Sequence, residues 1–590
     1  MTPGIRQIVL GSPLPTAEEI TQRLNKVQAL AIFSSDALSS VAYATEEILL
    51  VLVLAGTGAL GLSLPISVVI AGLLAVVITS YYQTIHGYPS GGGAYIVARE
   101  NLGVGAGLVA AASLLIDYVL TVAVSTTAGI AAITSAFPAL RPWRIELCLL
   151  AIVLVAWANL RGVRESGRLF AIPTYSFVLI FLILIATGLA RWLGGNLAPL
   201  PAPAQLPAGP ATQAGPATQA LTLFVLLRAF ASGCTALTGV EAISNGIPAF
   251  RQPEARNAGK TLVAMALLLG GMFLGISFLA RSLGVAPSEH ETVVSQIGRQ
   301  VLGPGPLYLA LQAATMLILI LAANTSFAGF PRLAAILARD RYLPRQLTNL
   351  GDRLVFANGI VLLAALASAL VVMFGGQTHR LIPLYAVGVF LSFTLSQAGM
   401  VRHWRQERGA GWTWKAAVNG LGAVATGLVL VVIAATKFVH GAWVVIGLIP
   451  AIVWAFSQVK RHYRNVARQL SLEGLAPEPW ADQATQPRYK VLVPVSGIHR
   501  GTLAALRFAR ALSSDVTAVV VDVDPEATAR LADRWPTWGH DVPLTVLPSP
   551  YRSTLVPLLD FVDEADRRNG QQGPAIIVLP EFLPGCPGGF

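Results

Sequence analysis

The sequence predicts an α-helical integral membrane protein with twelve transmembrane helices and a small cytosolic α/β domain behind them. Three observations carry that prediction. Of 590 residues, 54% are hydrophobic and only 12% charged, with a mean hydropathy of +0.64, whereas an ordinary soluble chain carries roughly 25% charged residues. Apolar runs of eighteen or more residues recur from about residue 28 to 459, each long enough to cross roughly 30 Å of hydrocarbon. After about residue 470 the charged fraction rises and short strand and helix patterns alternate.

Residues 1–27 form an expected cytosolic N-terminal segment. Its sequence, MTPGIRQIVLGSPLPTAEEI, lacks the charged-then-apolar pattern and cleavage site of a signal peptide, so the first span is expected to stay in the membrane. The twelve spans are read at 28–55, 63–84, 105–135, 143–160, 168–193, 219–249, 259–284, 305–335, 355–375, 380–400, 415–436 and 441–459. Together they make a transporter-sized body over 28–460, followed by a polar linker over 461–487 and the α/β domain over 488–590. Between spans five and six, LAPLPAPAQLPAGPATQAGPATQ reads as an extended external loop with no packed core.

Orientation comes from the basic residues, which gather on the cytoplasmic side of a membrane protein. With both termini in the cytoplasm, that side collects Arg161, Arg164, Arg168, Arg251, Arg256, Lys260, Arg332, Arg339, Arg402, Arg405 and Lys460, among others. The outside keeps Arg141, Arg144, Arg191, Arg281, Arg299, Arg380 and Lys437. The net charge of +11 is therefore an orientation signal spread over short loops. It argues against nucleic-acid binding, which needs a basic face. Cys148, Cys234 and Cys586 are too few and too far apart for a disulfide framework or a metal site.

In the tail, YKVLVPVSG reads as strand and turn, RGTLAALRFARAL as an amphipathic helix, and DVTAVVVDVD and AIIVLPEF as further strands. Strands alternating with helices imply a parallel sheet.

Three carboxylates interrupt the apolar spans: Asp36 in the first, Asp117 in the third and Glu241 in the sixth. An acid at the centre of a spanning helix costs roughly 2.5 to 3.5 kcal/mol on insertion scales, so it is expected to face a cavity, a partner or an ion. Asp117, Thr121 and Ser125 follow at four-residue spacing and share one helix face, with Tyr118 beside them. Asp36 and Tyr43 lie two turns apart, Thr238 and Glu241 three residues apart, and Tyr385 falls in the tenth span. Such carboxylate, hydroxyl and carbonyl oxygens suit a hard cation. Glu46 and Glu47 flank the first-span set, and adjacent residues point to different faces, so at most one is expected to see a cavity. Arg228 is expected to snorkel to the surface. No Walker-type phosphate loop occurs in the membrane part to suggest an ATP-driven pump, and the chain is not expected to be an enzyme.

HGYPSGGGAYIVARENLG, between spans two and three, and GVEAISNGIPAFRQPEARNAGKTL, at span six, resemble the corresponding segments of the amino acid–polyamine–organocation superfamily of secondary transporters. The resemblance covers roughly residues 20–460 and implies a LeuT-like inverted five-plus-five repeat with two extra helices. In that fold the first and sixth helices are broken at the midplane, and the substrate binds between the breaks. Amino acid carriers of the superfamily present bare backbone N–H groups at the first break, but here Asp36 occupies that position, and its charge would repel a substrate carboxylate. SSDALSSVAYATEEI, the Asp-Tyr-x-x-Thr-x-x-x-Ser of the third span and the α/β tail are similar to the KimA-type potassium importers, related to the KUP transporters. That resemblance implies potassium binding at Asp36, Tyr43, Asp117, Tyr118, Thr121 and Ser125, with Thr238, Glu241 and Tyr385 nearby, together with proton coupling; Glu241 is the first candidate for the proton carrier, and residence in the plasma membrane is expected.

The expected activity is potassium–proton symport by alternating access, without a resident cofactor. A proton-coupled amino acid or polyamine permease is the alternative, and a transporter-like nutrient receptor the second. The tail looks similar to a universal-stress-protein domain. Ser496 stands where that family's acidic nucleotide ligand is expected, and the chain ends at FLPGCPGGF without a Gly-Ser turn, so ATP binding is not expected. The resemblance implies instead a homodimer through this domain, with regulatory cyclic di-AMP or another adenine nucleotide bound there.

Overall fold

The computed structural model describes residues 24–89, 91, 93–162, 167–200, 221–288, 290–351, 355–471, 489–550, 553–569 and 575–580. Most of the N-terminal segment, the bulk of the Pro/Ala-rich loop, residues 472–488 of the linker and the FLPGCPGGF tail with Cys586 lie outside them, as do the side chains of Arg164 and Arg168. The described chain divides into a helical unit, Gln22–Asn349 with Phe356–Phe456, and a second unit that contains the sheet.

The helical unit opens with α1 (Lys26–Phe33), α2 (Ser35–Ser39) and α3 (Val41–Leu52), followed by α4 (Ser63–Gly87) and the short α5 (Ala94–Leu102). Then come α6 (Val104–Ala136), α7 (Arg144–Leu160), α8 (Gly167–Leu193), α9 (Leu223–Gly233), α10 (Ala242–Asn245) and α11 (Glu254–Leu283). The unit continues through α12 (Val293–Leu302), α13 (Pro306–Arg339), α14 (Ala357–Met373), α15 (Thr378–Glu407) and α16 (Trp412–Lys437), and α17 (Ala442–Gln469) begins in it. Among the described residues ten helical stretches are long and apolar enough to cross a membrane, and α14, at 17 residues, is apolar but shorter. The first span is absent from that count because it is broken into pieces of 8, 5 and 12 residues.

Helix ends overrun the hydropathy limits where charged residues flank the apolar run. α11 starts at Glu254 instead of 259, α15 continues to Glu407 past 400, and α17 reaches Gln469, nine residues beyond the expected boundary at 460. Arg, Lys, Gln and Glu are good helix formers, so the helix persists beyond the apolar run.

α6 packs against α13 and α15 and is the most deeply buried of the long helices, whereas α7 and α17 turn most of their apolar side chains outward. A hydroxyl chain pins three other helices: Thr45 and Ser277 hydroxyls lie 2.9 Å apart, and Ser67 donates to Ser277 Oγ at 2.8 Å, joining α3, α11 and α4.

In the second unit, β1 (Val491–Pro494), α18 (Arg500–Leu512), β2 (Val516–Asp522), α19 (Pro525–Trp538), β3 (Leu544–Pro548), α20 (Leu555–Asn569) and β4 (Ile576–Ile577) alternate along the chain. All strand pairs are parallel and the sheet order is β3-β2-β1-β4. Val491 and Val493 of β1 pack with Leu506, Ala518 and Trp535, while Leu492 packs on the opposite side with Val519, Leu547 and Ala565. Both faces are therefore covered, as parallel sheets require.

Candidate cation site between two helix breaks

The first break is built from serines. Asn25 caps α1 by accepting from Gln28 N–H at 2.9 Å, and the helix runs regularly until Ser34. Ser39 then donates to the Asp36 carbonyl at 2.8 Å and Ser40 to the Ala37 carbonyl at 2.6 Å, so hydroxyls take carbonyls that a continuous helix would have paired. Apolar surroundings allow such a break only where side chains re-satisfy the backbone. Ser40 also donates to the Ala236 carbonyl at 3.2 Å, joining the first break to the second.

The second break is wider. After α9 the chain tightens into a single 3-10 turn at Cys234–Leu237, Thr238 is extended, and Gly239 is left-handed with φ +79°. A Cβ on Gly239 would lie 2.7 Å from Asp36 Cγ and 2.8 Å from Ala37 N. Only glycine combines that φ with that contact. The expected three-residue helical spacing of Thr238 and Glu241 does not apply here, because the backbone between them is unwound. Thr238 instead donates to the Thr235 carbonyl at 2.8 Å and lies within hydrogen-bonding reach of the Tyr43 hydroxyl.

The three acids converge on these breaks, although no helix holds more than one of them. Asp36, Asp117 and Glu241 are all buried. The Asp117 and Glu241 carboxyls lie within hydrogen-bonding reach of each other, and each is within electrostatic reach of Asp36. Asp36 Oδ1, Asp117 Oδ1 and Glu241 Oε2 have no hydrogen-bond partner. Buried polar atoms are normally paired, so three orphaned oxygens on neighbouring carboxyls are groups that could receive a cation or protons.

Tyrosines close the set. Thr121 donates to Tyr385 Oη at 3.0 Å, linking α6 to α15, and Tyr385 is within electrostatic reach of Asp36, Asp117 and Tyr43. Asn245 donates to Tyr118 Oη at 3.1 Å. Ser125 is buried on the same α6 face as Asp117, two turns, or about 12 Å, along the helix axis, and forms the far end of the hydroxyl face. Among the described residues no three His, Cys, Asp or Glu side chains gather closely enough to chelate a metal ion.

Several participants were not anticipated from the sequence. Asn245 lies in the ISNG that ends the sixth span, and its role emerges only because α10 brings it to Tyr118. The glycine-rich segment before α5 approaches the same place, since a Cβ on Gly93 would sit 2.9 Å from Asn245 Oδ1. Beyond the glycines, Tyr95 of α5 donates to Asp340 Oδ2 at 2.6 Å and Arg99 pairs with the same carboxylate. Burial and the neighbouring Asp340 raise the Tyr95 phenol above its ordinary range. Glu46 accepts from Val293 N–H at 3.0 Å at the start of α12, leaving Glu47 as the more buried of the two acids, in keeping with their adjacent, divergent positions. Lys437, expected in an external loop, is instead buried at the end of α16.

Residues 24–457 match the amino acid permease family, and residues 487–587 match the KimA potassium transporter C-terminal domain. Potassium transporter KimA of Bacillus subtilis (strain 168) is 44% identical to the chain over 581 residues, covering 98% of this chain and 93% of that protein.

Proposed function

We propose, because this chain belongs to the amino acid permease family and within it to the KimA potassium transporter branch, that it moves potassium across the membrane together with protons. The observation that carries this reading is the convergence of three buried carboxyls, Asp36, Asp117 and Glu241, each with an unpartnered oxygen. Three ionised carboxylates cannot share a closed low-dielectric cavity cheaply. A hydrogen bond between the Asp117 and Glu241 carboxyls requires a proton on one of them, and a potassium ion beside Asp36 and Asp117 offsets the remaining charge. The cavity can then close around a nearly neutral load.

In this reading Asp36, Tyr43, Asp117, Tyr118, Thr121, Ser125, Thr238 and Tyr385 form the potassium path and Glu241 carries the proton. The helices form twelve spans in a LeuT-like five-plus-five arrangement, with both termini cytoplasmic in the plasma membrane. An inside-negative potential then favours import by about 2.3 kcal/mol per charge per 100 mV. The C-terminal domain joins two copies and offers the ends of its parallel strands to a regulatory nucleotide such as cyclic di-AMP.

Purified protein in liposomes tests the reading by rubidium uptake with an internal pH dye. Rubidium entry with internal acidification is expected. Uptake of amino acids or polyamines without potassium dependence would overturn it, and so would full transport by Asp36→Asn and Asp117→Asn.

A further inference from the structure

A lysine at the end of a helix normally turns its ammonium to water, where it complements the helix dipole. Lys437, the last residue of α16, does the opposite. It is 3% exposed and its Nζ has no hydrogen-bond partner. Around it stand Glu47 of α3, Cys234 at the mouth of the second break and Arg228 of α9, all within electrostatic reach. α9 packs against both α3 and α16, which brings the three helices together at this end of the bundle.

Glu47 is 8% exposed and follows Tyr43 by four residues on α3, so the two lie on one helix face. Tyr43 is within electrostatic reach of Asp36, Glu47 and Asp117. Lys437 and Glu47, Glu47 and Tyr43, and Tyr43 and Asp36 are thus pairs within electrostatic reach, linking the end of α16 step by step to the acids at the breaks. Glu46, its neighbour, is already engaged by Val293 N–H.

We propose that Glu47 is a further site for a monovalent metal cation on the way to the acids at the breaks, and that the Lys437 ammonium is a tethered competitor for it. This rests on the transport reading above. An ammonium and a potassium ion carry the same charge and seek the same oxygen ligands, so the two cannot occupy the Glu47 carboxylate together. An unpaired buried ammonium is costly, which draws Lys437 toward Glu47 whenever the site is empty. A cation arriving at Glu47 must displace that pull, and a cation already in the pocket meets a positive charge if it moves back. Lys437 acts here through Glu47, as a positioning residue.

The test is rubidium uptake in liposomes as a function of external rubidium. Glu47→Gln should raise the apparent KM about fivefold to tenfold, the change falling on KM more than on kcat. Lys437→Met should lower KM, and the double variant should match Glu47→Gln alone, because the lysine has nothing left to compete for. Lys437→Arg keeps the charge and can engage both carboxylate oxygens, so it should raise KM. It gives a readout even if Lys437→Met does not fold. An unchanged KM in Glu47→Gln, or an effect of Lys437→Met that persists in the Glu47→Gln background, would overturn the inference while leaving potassium transport intact. Wild-type vesicles that take up no rubidium would overturn the transport reading first, and this one with it.

Discussion

The two broken helices meet at the same pocket but are broken in different ways. In the first, Ser39 and Ser40 take over backbone carbonyls and the chain bends almost without losing its turn, so Asp36 stays on a short helical piece. In the second, the chain unwinds through a 3-10 turn, an extended Thr238 and a left-handed Gly239 before Glu241. The first break presents a side-chain charge. The second presents backbone and makes room for that charge, since Gly239 lies directly against the Asp36 carboxylate. A carboxylate held this way needs one helix to carry it and another to have no side chain.

The largest effect should come from removing charge at the first break and its partner helix. Asp36→Asn and Asp117→Asn should each reduce rubidium uptake about tenfold to a hundredfold, the loss expected for one charged ligand contact. Uptake that falls in only one of them would show that the other aspartate has a structural role.

Next is the second break itself. Gly239→Ala should destabilise the protein by about 2 to 4 kcal/mol, combining left-handed strain with overlap against Asp36. Its detergent-solubilised melting temperature checks this. Asp36→Ala should recover part of the loss by vacating the contact, which Asp36→Asn, of nearly equal size, should not.

A smaller effect is expected at the contact that closes the pocket from α15. Thr121→Val and Tyr385→Phe should each weaken uptake by about fivefold, the worth of roughly 1 kcal/mol of hydrogen bond. The double variant should cost little more than either single one. Additive losses would show that Thr121 and Tyr385 act separately on the cation.

How much of this could be read from the chain differs between the two breaks as well. Asp36 was legible because a charge within an apolar run is anomalous wherever the helix lies, and the SSDALSS hydroxyls marked an interruption. The unwinding at Thr238 and Gly239 was not, because small residues in GCTALTGVE serve equally well in a packed continuous helix. Lys437 was misplaced for a related reason. Hydropathy locates a lysine at the end of an apolar run, but only tertiary packing shows that α3 and α9 enclose it. In the second unit, DVTAVVVDVD gave its strand plainly, while β3 is a short strand in PLTVLPS with mixed burial and AIIVLPEF contributes only Ile576–Ile577. The α19 and α20 helices went unread because their charged faces outweigh the apolar stripes.

The hydroxyl chain of Thr45, Ser277 and Ser67 has a mechanical consequence. Ser277 is the shared partner, so parting α11 from α3 and α4 breaks both of its hydroxyl contacts at once, and the three helices are expected to shift together as one strut. Rearrangement that opens the pocket is then expected at the seam between this strut and the α6–α15 pair that carries Thr121 and Tyr385. Spin labels on α4 and α11 should keep a single separation with and without potassium, whereas labels on α4 and α6 should show two. A split distribution within the strut would mean that the trio flexes as a hinge.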